Sequence, residues 1–221
     1  MADKLQRELS NRHIQLIAIG GAIGTGLFLG AGASIHLAGP SILLTYIIVG
    51  FILFMFMRAM GELLLSNLGF KSFGDIAHHH IGSMAGFMVG WTYWLTWIIS
   101  GMAEVTAVAK YVDFWYPDMP NWITAAATIL VLVALNLFSA KLFGELEFWL
   151  SIIKVITILA LIIVGIVMVI FAMKTDYGPA TVTNIWKEGG FFPNGASGFF
   201  MSFQMAIFSF IGIESVSYTH L

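Results

Sequence analysis

Residues 20–26 read Gly20-Gly21-Ala22-Ile23-Gly24-Thr25-Gly26, and they lie in the middle of an apolar block that covers residues 14–38. Each glycine in a helix interior costs about 1 kcal/mol relative to alanine. Four glycines among these seven residues therefore predict that the helix unwinds locally. The motif alone leaves a second interpretation open, in which the glycines form a packing face between helices.

This block is one of several, and together they set the class of protein. Hydrophobic residues make up 59% of the 221 residues and charged residues 10%, against about a quarter charged in a typical soluble domain. The apolar blocks are about 20 residues long, the length at which a helix crosses a bilayer. A spanning segment must satisfy its backbone polar groups internally, so we predict an all-α membrane protein. The six predicted helices cover residues 14–38, 41–65, 84–112, 122–140, 146–172 and 195–214.

An unwound segment at membrane depth indicates a binding site, because such backbone is tolerated only beside protein or a water-filled cavity. It creates a half-helix N-terminus, whose amides and positive dipole end favour a carboxylate. The last block offers a weaker counterpart, with Ser209, Gly212 and Glu214 near membrane depth. Carbonyls released there could hold an ammonium group. Paired broken helices are typical of transporter binding sites.

The distribution of lysine and arginine predicts the orientation, because cytoplasmic loops are enriched in both. With the N-terminus inside, residues 1–13 form a cytoplasmic tail and residues 173–194 an extracellular loop. The outer side then carries Lys110, Lys174 and Lys187. The inner side carries Lys4, Arg7, Arg12, Arg58, Lys71 and Lys141.

Two charges fall inside predicted spans, Glu104 in the third and Lys154 in the fifth. A lysine near the bilayer centre costs roughly 2.5–3.5 kcal/mol on insertion scales, so it usually faces a cavity or a partner. We predict proton-coupling or structural roles for both residues; a Lys154 that snorkels toward the cytoplasm is the alternative. Arg58 and Glu62, four residues apart, predict an ion pair with a structural or gating role.

Several other function classes lack support in the sequence. The chain has no cysteine and a formal net charge of −2, which excludes thiolate chemistry and gives no reason to expect a nucleic-acid partner. The run from His78 to His80 is read as part of a cytoplasmic loop without metal-ligand spacing. No nucleophile elbow, phosphate-binding loop or zinc-protease motif occurs. We therefore expect no metal site, no cofactor and no enzyme activity; nothing specifies an oligomeric state.

The chain resembles the amino acid permeases of the amino acid–polyamine–organocation superfamily over nearly its whole length. The resemblance begins at residues 11–28, NRHIQLIAIGGAIGTGLF. It continues through 38–41 (AGPS), 57–63 (MRAMGEL), 90–94 (GWTYW), 143–145 (FGE) and 208–214 (FSFIGIE). Within the family, the run that starts at Met57 is most similar to permeases for D-serine, D-alanine and glycine.

The resemblance implies a leucine-transporter-like fold of about twelve helices in two inverted five-helix repeats. On that basis this chain is the N-terminal half, with about six transmembrane helices of which the first and sixth are broken. Residues 14–172 form the first repeat and residues 195–221 the first helix of the second. Residues 215–221 depart from the family's apolar continuation, so we expect a truncated chain that cannot transport alone.

The resemblance also implies uptake of small neutral amino acids with a proton across the cytoplasmic membrane, driven by the proton gradient. Lys154 matches the lysine that replaces a sodium site in proton-coupled relatives, and Glu214 is assigned a gating or structural role. The alternatives are a permease for aromatic, proline or cationic substrates, and a sensor or channel that does not transport. The implied substrate-binding residues are Ala22, Ile23, Gly24, Thr25, Gly26, Phe208, Ser209 and Ile211.

Overall fold

The part of the chain that the structure describes is mostly helical. The computed structural model describes residues 19–21, 23–67, 69–137, 140–176, 178–187 and 189–214. The only strands in these ranges are β1 (Lys174–Thr175) and β2 (Gly178–Pro179), which pair as an antiparallel hairpin. The helices are α1 Thr25–Phe28, α2 Gly30–Ala38, α3 Ile42–Ser66, α4 Phe73–His80, α5 Ser83–Asp113, α6 Asn121–Asn136, α7 Ala140–Ile170, α8 Asn184–Lys187 and α9 Gly195–Ser209. The predicted all-α class is confirmed to the extent that these residues are mostly helical.

Two helical stretches in the described part of the chain are long and apolar enough to cross a bilayer, Gly30–Ser66 and Glu145–Ile170. The helix α6 is apolar but shorter. Apolar side chains along α7 are exposed; for example, Ile153, Ile156 and Ile163 are each 59–60% exposed. An apolar face of this length is typical of a helix in lipid or against other apolar helices. The predicted number of six spans stays a prediction.

The chain divides into two compact units. The first comprises residues 1–49 and 138–211 and the second residues 50–137 and 212–221, so α3 contributes to both. Within the first unit, α2 packs along α9. The contact is lined by small buried residues at four-residue spacing on each helix, which let helix backbones approach closely. These residues are Gly30, Ser34 and Ala38 on α2 and Gly198, Ser202 and Ala206 on α9.

The start of α9 is fixed to the end of α2 by backbone contacts. The Asn194 side chain donates hydrogen bonds to the carbonyls of His36 (2.9 Å) and Leu37 (3.0 Å). A Cβ on Gly198 would collide with the Leu37 carbonyl. The turn between α2 and α3 runs through Gly39, whose φ of +58° suits glycine. These contacts set the register of α2 against α9.

In the second unit, the short helix α4 packs against the first part of α5. Ser72 caps α4 by accepting a hydrogen bond from the Asp75 amide at 3.0 Å. A Cβ on Gly86 would approach the Gly74 carbonyl to 2.8 Å, so the two helices touch at glycine. Gly82 occupies the N-cap position of α5 with a φ of +133°, and a Cβ there would meet nothing within 4 Å.

The prediction that His78, His79 and His80 lie in a loop was wrong. All three form the last turn of α4. The helix was missed because it is only eight residues long, too short to form an apolar block. No group of three or more potential metal ligands occurs within the described ranges.

Candidate functional site

The first helix is interrupted at Gly24. Residues 19–21 are helical, whereas Gly24 is extended, with φ −125° and ψ −163°. The helix restarts at Thr25, and the Gly24 carbonyl accepts the amides of Leu27 and Phe28 at 3.2 Å. Leu29 keeps helical angles and donates to the Thr25 carbonyl at 2.8 Å, so α1 runs on into α2. Gly24 occupies the N-cap position of the new helix and has no side chain that could cap it.

The last helix ends in a second irregular segment. Phe210 leaves helical geometry, and the amides of Phe210 and Ile211 donate to the residues three before them, at 3.1 and 3.2 Å. Gly212 has a φ of +100°, a value that β-carbon-bearing residues rarely adopt. Its amide donates to the Glu214 carboxylate at 3.0 Å. The backbone around residues 210–212 therefore departs from a regular helix.

Gly26 brings the first turn of α1 into contact with the last turn of α9. A Cβ built on Gly26 would lie 2.6 Å from the Ser209 Cα and 2.8 Å from the Phe208 carbonyl oxygen. Both distances are shorter than side chains tolerate, so only glycine permits this approach. The first turn of α1 therefore lies directly against the backbone at the end of α9.

Hydroxyl groups join α3 to α9 beside this contact. The Tyr46 hydroxyl lies 2.9 Å from the Ser209 hydroxyl. The Tyr46 ring also packs near the Phe210 ring, with centroids 5.9 Å apart. An open groove of about 430 Å³ near the end of α9 is lined by Gln204, Met205, Ile207, Phe208 and Ile211. The groove borders on two of the residues predicted to bind substrate.

On the other side of the break, α7 contacts the helical segment of residues 19–21. The Lys154 ammonium donates a hydrogen bond to the Gly20 carbonyl at 3.1 Å. Ser151, which is 2% exposed, lies so close to Gly20 that a Cβ there would collide with its side chain. Lys154 is therefore a cation with a backbone partner next to the break.

Comparison with known proteins decides the family. The profile of the amino acid permease family matches residues 13–219. This chain belongs to the amino acid permease family.

Three relatives indicate what members of the family do. The chain is 55% identical to the D-serine/D-alanine/glycine transporter of Escherichia coli K12. It is 55% identical to the amino-acid permease AapA of Bacillus subtilis and 49% identical to the aromatic amino acid transport protein AroP of E. coli K12. Each match covers 97–98% of this chain and 46–47% of the relative. The chain thus spans about half the length of the relatives it matches. No solved structure matches it.

The three relatives are named as transporters or permeases. Of the predicted substrate-binding residues, Gly26, Phe208 and Ser209 lie together at the contact described above. Gly24 and Thr25 are adjacent to it in sequence, and Ile211 donates to the Phe208 carbonyl. Ala22 lies outside the described residues.

The other predicted charged residues belong to the second unit. Glu104 lies on α5 in the second unit, whereas Lys154 lies on α7 in the first. Arg58 and Glu62 form the predicted ion pair, with Nε and Oε1 3.4 Å apart and both side chains exposed. Exposed pairs contribute little stability. The gating role of this pair, like that of Glu214, stays a prediction.

Two residues at the site were missed by sequence reasoning. Tyr46 and Ser151 carry hydroxyl groups inside apolar blocks, where such groups usually bind across helices. Ser151 lies three residues before Lys154, so both fall on one face of α7. Both residues could have been identified as candidates from the sequence, because each is an isolated hydroxyl within an apolar block. Their partners become evident only in the fold.

Proposed function

We propose that this permease takes up small neutral amino acids such as D-serine, D-alanine and glycine across the cytoplasmic membrane, in symport with protons. The observation that carries the proposal is the contact of Gly26 with the Phe208–Ser209 backbone, which brings the first turn after the break at Gly24 against the last turn of α9. In this proposal the chain is the N-terminal half of a leucine-transporter-like fold, with its N-terminus in the cytoplasm. The 55% identity to the D-serine/D-alanine/glycine transporter of E. coli supports the choice of substrate.

The substrate binds through its two charged ends. Its carboxylate accepts hydrogen bonds from the amides of Thr25 and Gly26, at the start of the helix that follows Gly24. Its ammonium group donates to carbonyls of Ala22, Phe208 and Ile211. The Phe208 carbonyl already accepts the Ile211 amide at 3.2 Å, and a carbonyl oxygen has a second lone pair for another donor. Glycine at position 26 keeps the space between the two segments free of side chains.

Proton coupling is assigned to Lys154, with Glu104 as a second candidate. A proton that leaves the Lys154 ammonium would weaken its hydrogen bond to the Gly20 carbonyl, because charged donors bind more strongly than neutral ones. The change would act on the helical segment directly before the break. The energy source is the proton gradient, and no cofactor is required.

Uptake of labelled D-alanine by cells that express the intact permease tests this proposal. We expect saturable accumulation that collapses when an uncoupler dissipates the proton gradient. Accumulation that ignores the uncoupler would remove the proton-coupled mechanism. Saturable binding of D-alanine without uptake would favour a sensor or channel.

A second candidate is a permease for aromatic amino acids, which the 49% identity to the aromatic amino acid transport protein AroP supports. Competition distinguishes the two, along with the proline and cationic alternatives. For the small-substrate proposal, unlabelled glycine and D-serine should compete with labelled D-alanine, and phenylalanine, proline and lysine should not. Strong competition by phenylalanine and none by glycine would favour the aromatic class.

A further inference from the structure

A chain of hydroxyl groups links Tyr46 on α3 to the last turn of α9. The Ser209 hydroxyl donates its single proton to the Met205 carbonyl at 2.9 Å. The 2.9 Å contact between the Tyr46 and Ser209 hydroxyls therefore has Tyr46 as its donor. Ser209 is 7% exposed, and its hydrogen bond with Tyr46 is partly buried. Tyr46 thus binds Ser209, the last residue of α9 before the backbone becomes irregular.

Gly26 also contacts this stretch of α9. The α1 backbone lies against the Ser209 Cα and the Phe208 carbonyl, with no space for a side chain. On the Tyr46 side, the aromatic ring also packs near Phe210, the first residue beyond the helix. The end of α9 therefore has little freedom to shift along its axis while both contacts persist.

From this geometry we propose that Tyr46 is a positioning residue for amino acid binding, which sets the place of the Phe208 and Ser209 backbone through its hydroxyl. The inference rests on the proposed function, because the Phe208 carbonyl is one of the proposed acceptors for the substrate ammonium. Tyr46 does not touch the substrate; it acts through Ser209. Removal of its hydroxyl would keep the aromatic ring but would break the hydrogen bond to Ser209 that restrains the last turn of α9.

A second hydroxyl pair provides a matched control. The Thr45 and Ser202 hydroxyls lie 2.8 Å apart, and Ser202 donates to the Phe199 carbonyl at 2.7 Å. This pair joins the same two helices with the same donor order, and both residues are fully buried. It lies about two helical turns before Ser209, away from the irregular segment. If the Tyr46–Ser209 pair only held the two helices together, loss of either pair should affect uptake equally.

The test measures the KM and maximal rate of D-alanine uptake by the intact permease, normalised to the amount of protein in the membrane. We expect Tyr46→Phe to raise KM about 3- to 10-fold, the change that corresponds to one net hydrogen bond. Thr45→Val should leave KM within about twofold of wild type. Tyr46→Phe combined with Ser209→Ala should match Ser209→Ala alone, because both substitutions remove the same link.

The outcomes separate this inference from the function it rests on. An unchanged KM in Tyr46→Phe, beside normal wild-type uptake, would overturn the role of Tyr46 and leave the proposed function intact. An equal rise in KM in Thr45→Val would also overturn it, because the effect would then be general helix packing. Absence of saturable uptake by the wild-type permease would overturn both.

Discussion

The Lys154 ammonium donates a hydrogen bond to the carbonyl of Gly20 across 3.1 Å. In a continuous helix this carbonyl would serve the amide four residues later. Here it accepts the Ile23 amide at 3.2 Å, in a shortened turn, together with the lysine. A cation within a long apolar helix is thus satisfied by backbone next to the interruption at Gly24.

Replacement of Lys154 by methionine should reduce D-alanine uptake at least about tenfold, because the Gly20 carbonyl loses a charged donor worth roughly 1.5–3 kcal/mol. Uptake by cells expressing the intact permease checks this, normalised to membrane protein. Lys174→Met is the matched control, since Lys174 lies exposed in the hairpin. Gradient-driven accumulation at wild-type level in Lys154→Met would refute the role assigned to this residue.

Gly20 should not tolerate a larger side chain. The added Cβ of Gly20→Ala would collide with the Ser151 side chain. We expect the free energy of unfolding to fall by about 1–3 kcal/mol, as for other overpacked sites. The thermal midpoint of the purified intact permease measures the loss. The double variant Gly20→Ala with Ser151→Gly should regain part of it, since the colliding side chain is then absent.

Gly21 supplies the control for this series, because a Cβ there meets nothing within 4 Å. Gly21→Ala should keep the wild-type midpoint or raise it slightly, since alanine favours the helix. An unchanged thermal midpoint in the Gly20→Ala variant would contradict the close contact between residues 19–21 and α7.

Substrate recognition should require both charged ends of the amino acid. Propionate lacks the amino group of alanine, and ethylamine lacks its carboxylate. Each should compete with labelled D-alanine at least about tenfold less well than unlabelled D-alanine, because one set of charged hydrogen bonds is lost. Competition by propionate at the level of D-alanine would argue against the proposed acceptors at the end of α9.

The interruptions in the chain could be anticipated from composition alone. Glycine weakens a helix wherever it occurs, so the cluster around Gly24 and the glycine at position 212 predicted irregular backbone from sequence. The helix bounds also follow the apolar blocks closely; α3 covers Ile42–Ser66 where residues 41–65 were predicted. Local rules suffice for such features, because they depend on neighbouring residues.

Partners distant in sequence could not be anticipated in the same way. The contact of Tyr46 with Ser209 spans 163 positions, and that of Lys154 with Gly20 spans 134. A sequence indicates that a hydroxyl or a lysine inside an apolar block needs a partner, but several candidates satisfy that need equally. Only the packing of α3 and α7 in the fold selects among them.

The contact between Gly26 and the Phe208–Ser209 backbone is the central feature of the proposed site. The most direct test is equilibrium binding of labelled D-alanine to the purified intact permease, for wild type, Gly26→Val and the control Gly21→Val. We predict saturable binding in the wild type and in Gly21→Val, and none in Gly26→Val while its thermal midpoint shows that it remains folded. Wild-type affinity in Gly26→Val would contradict the account, because the amino acid would then bind elsewhere.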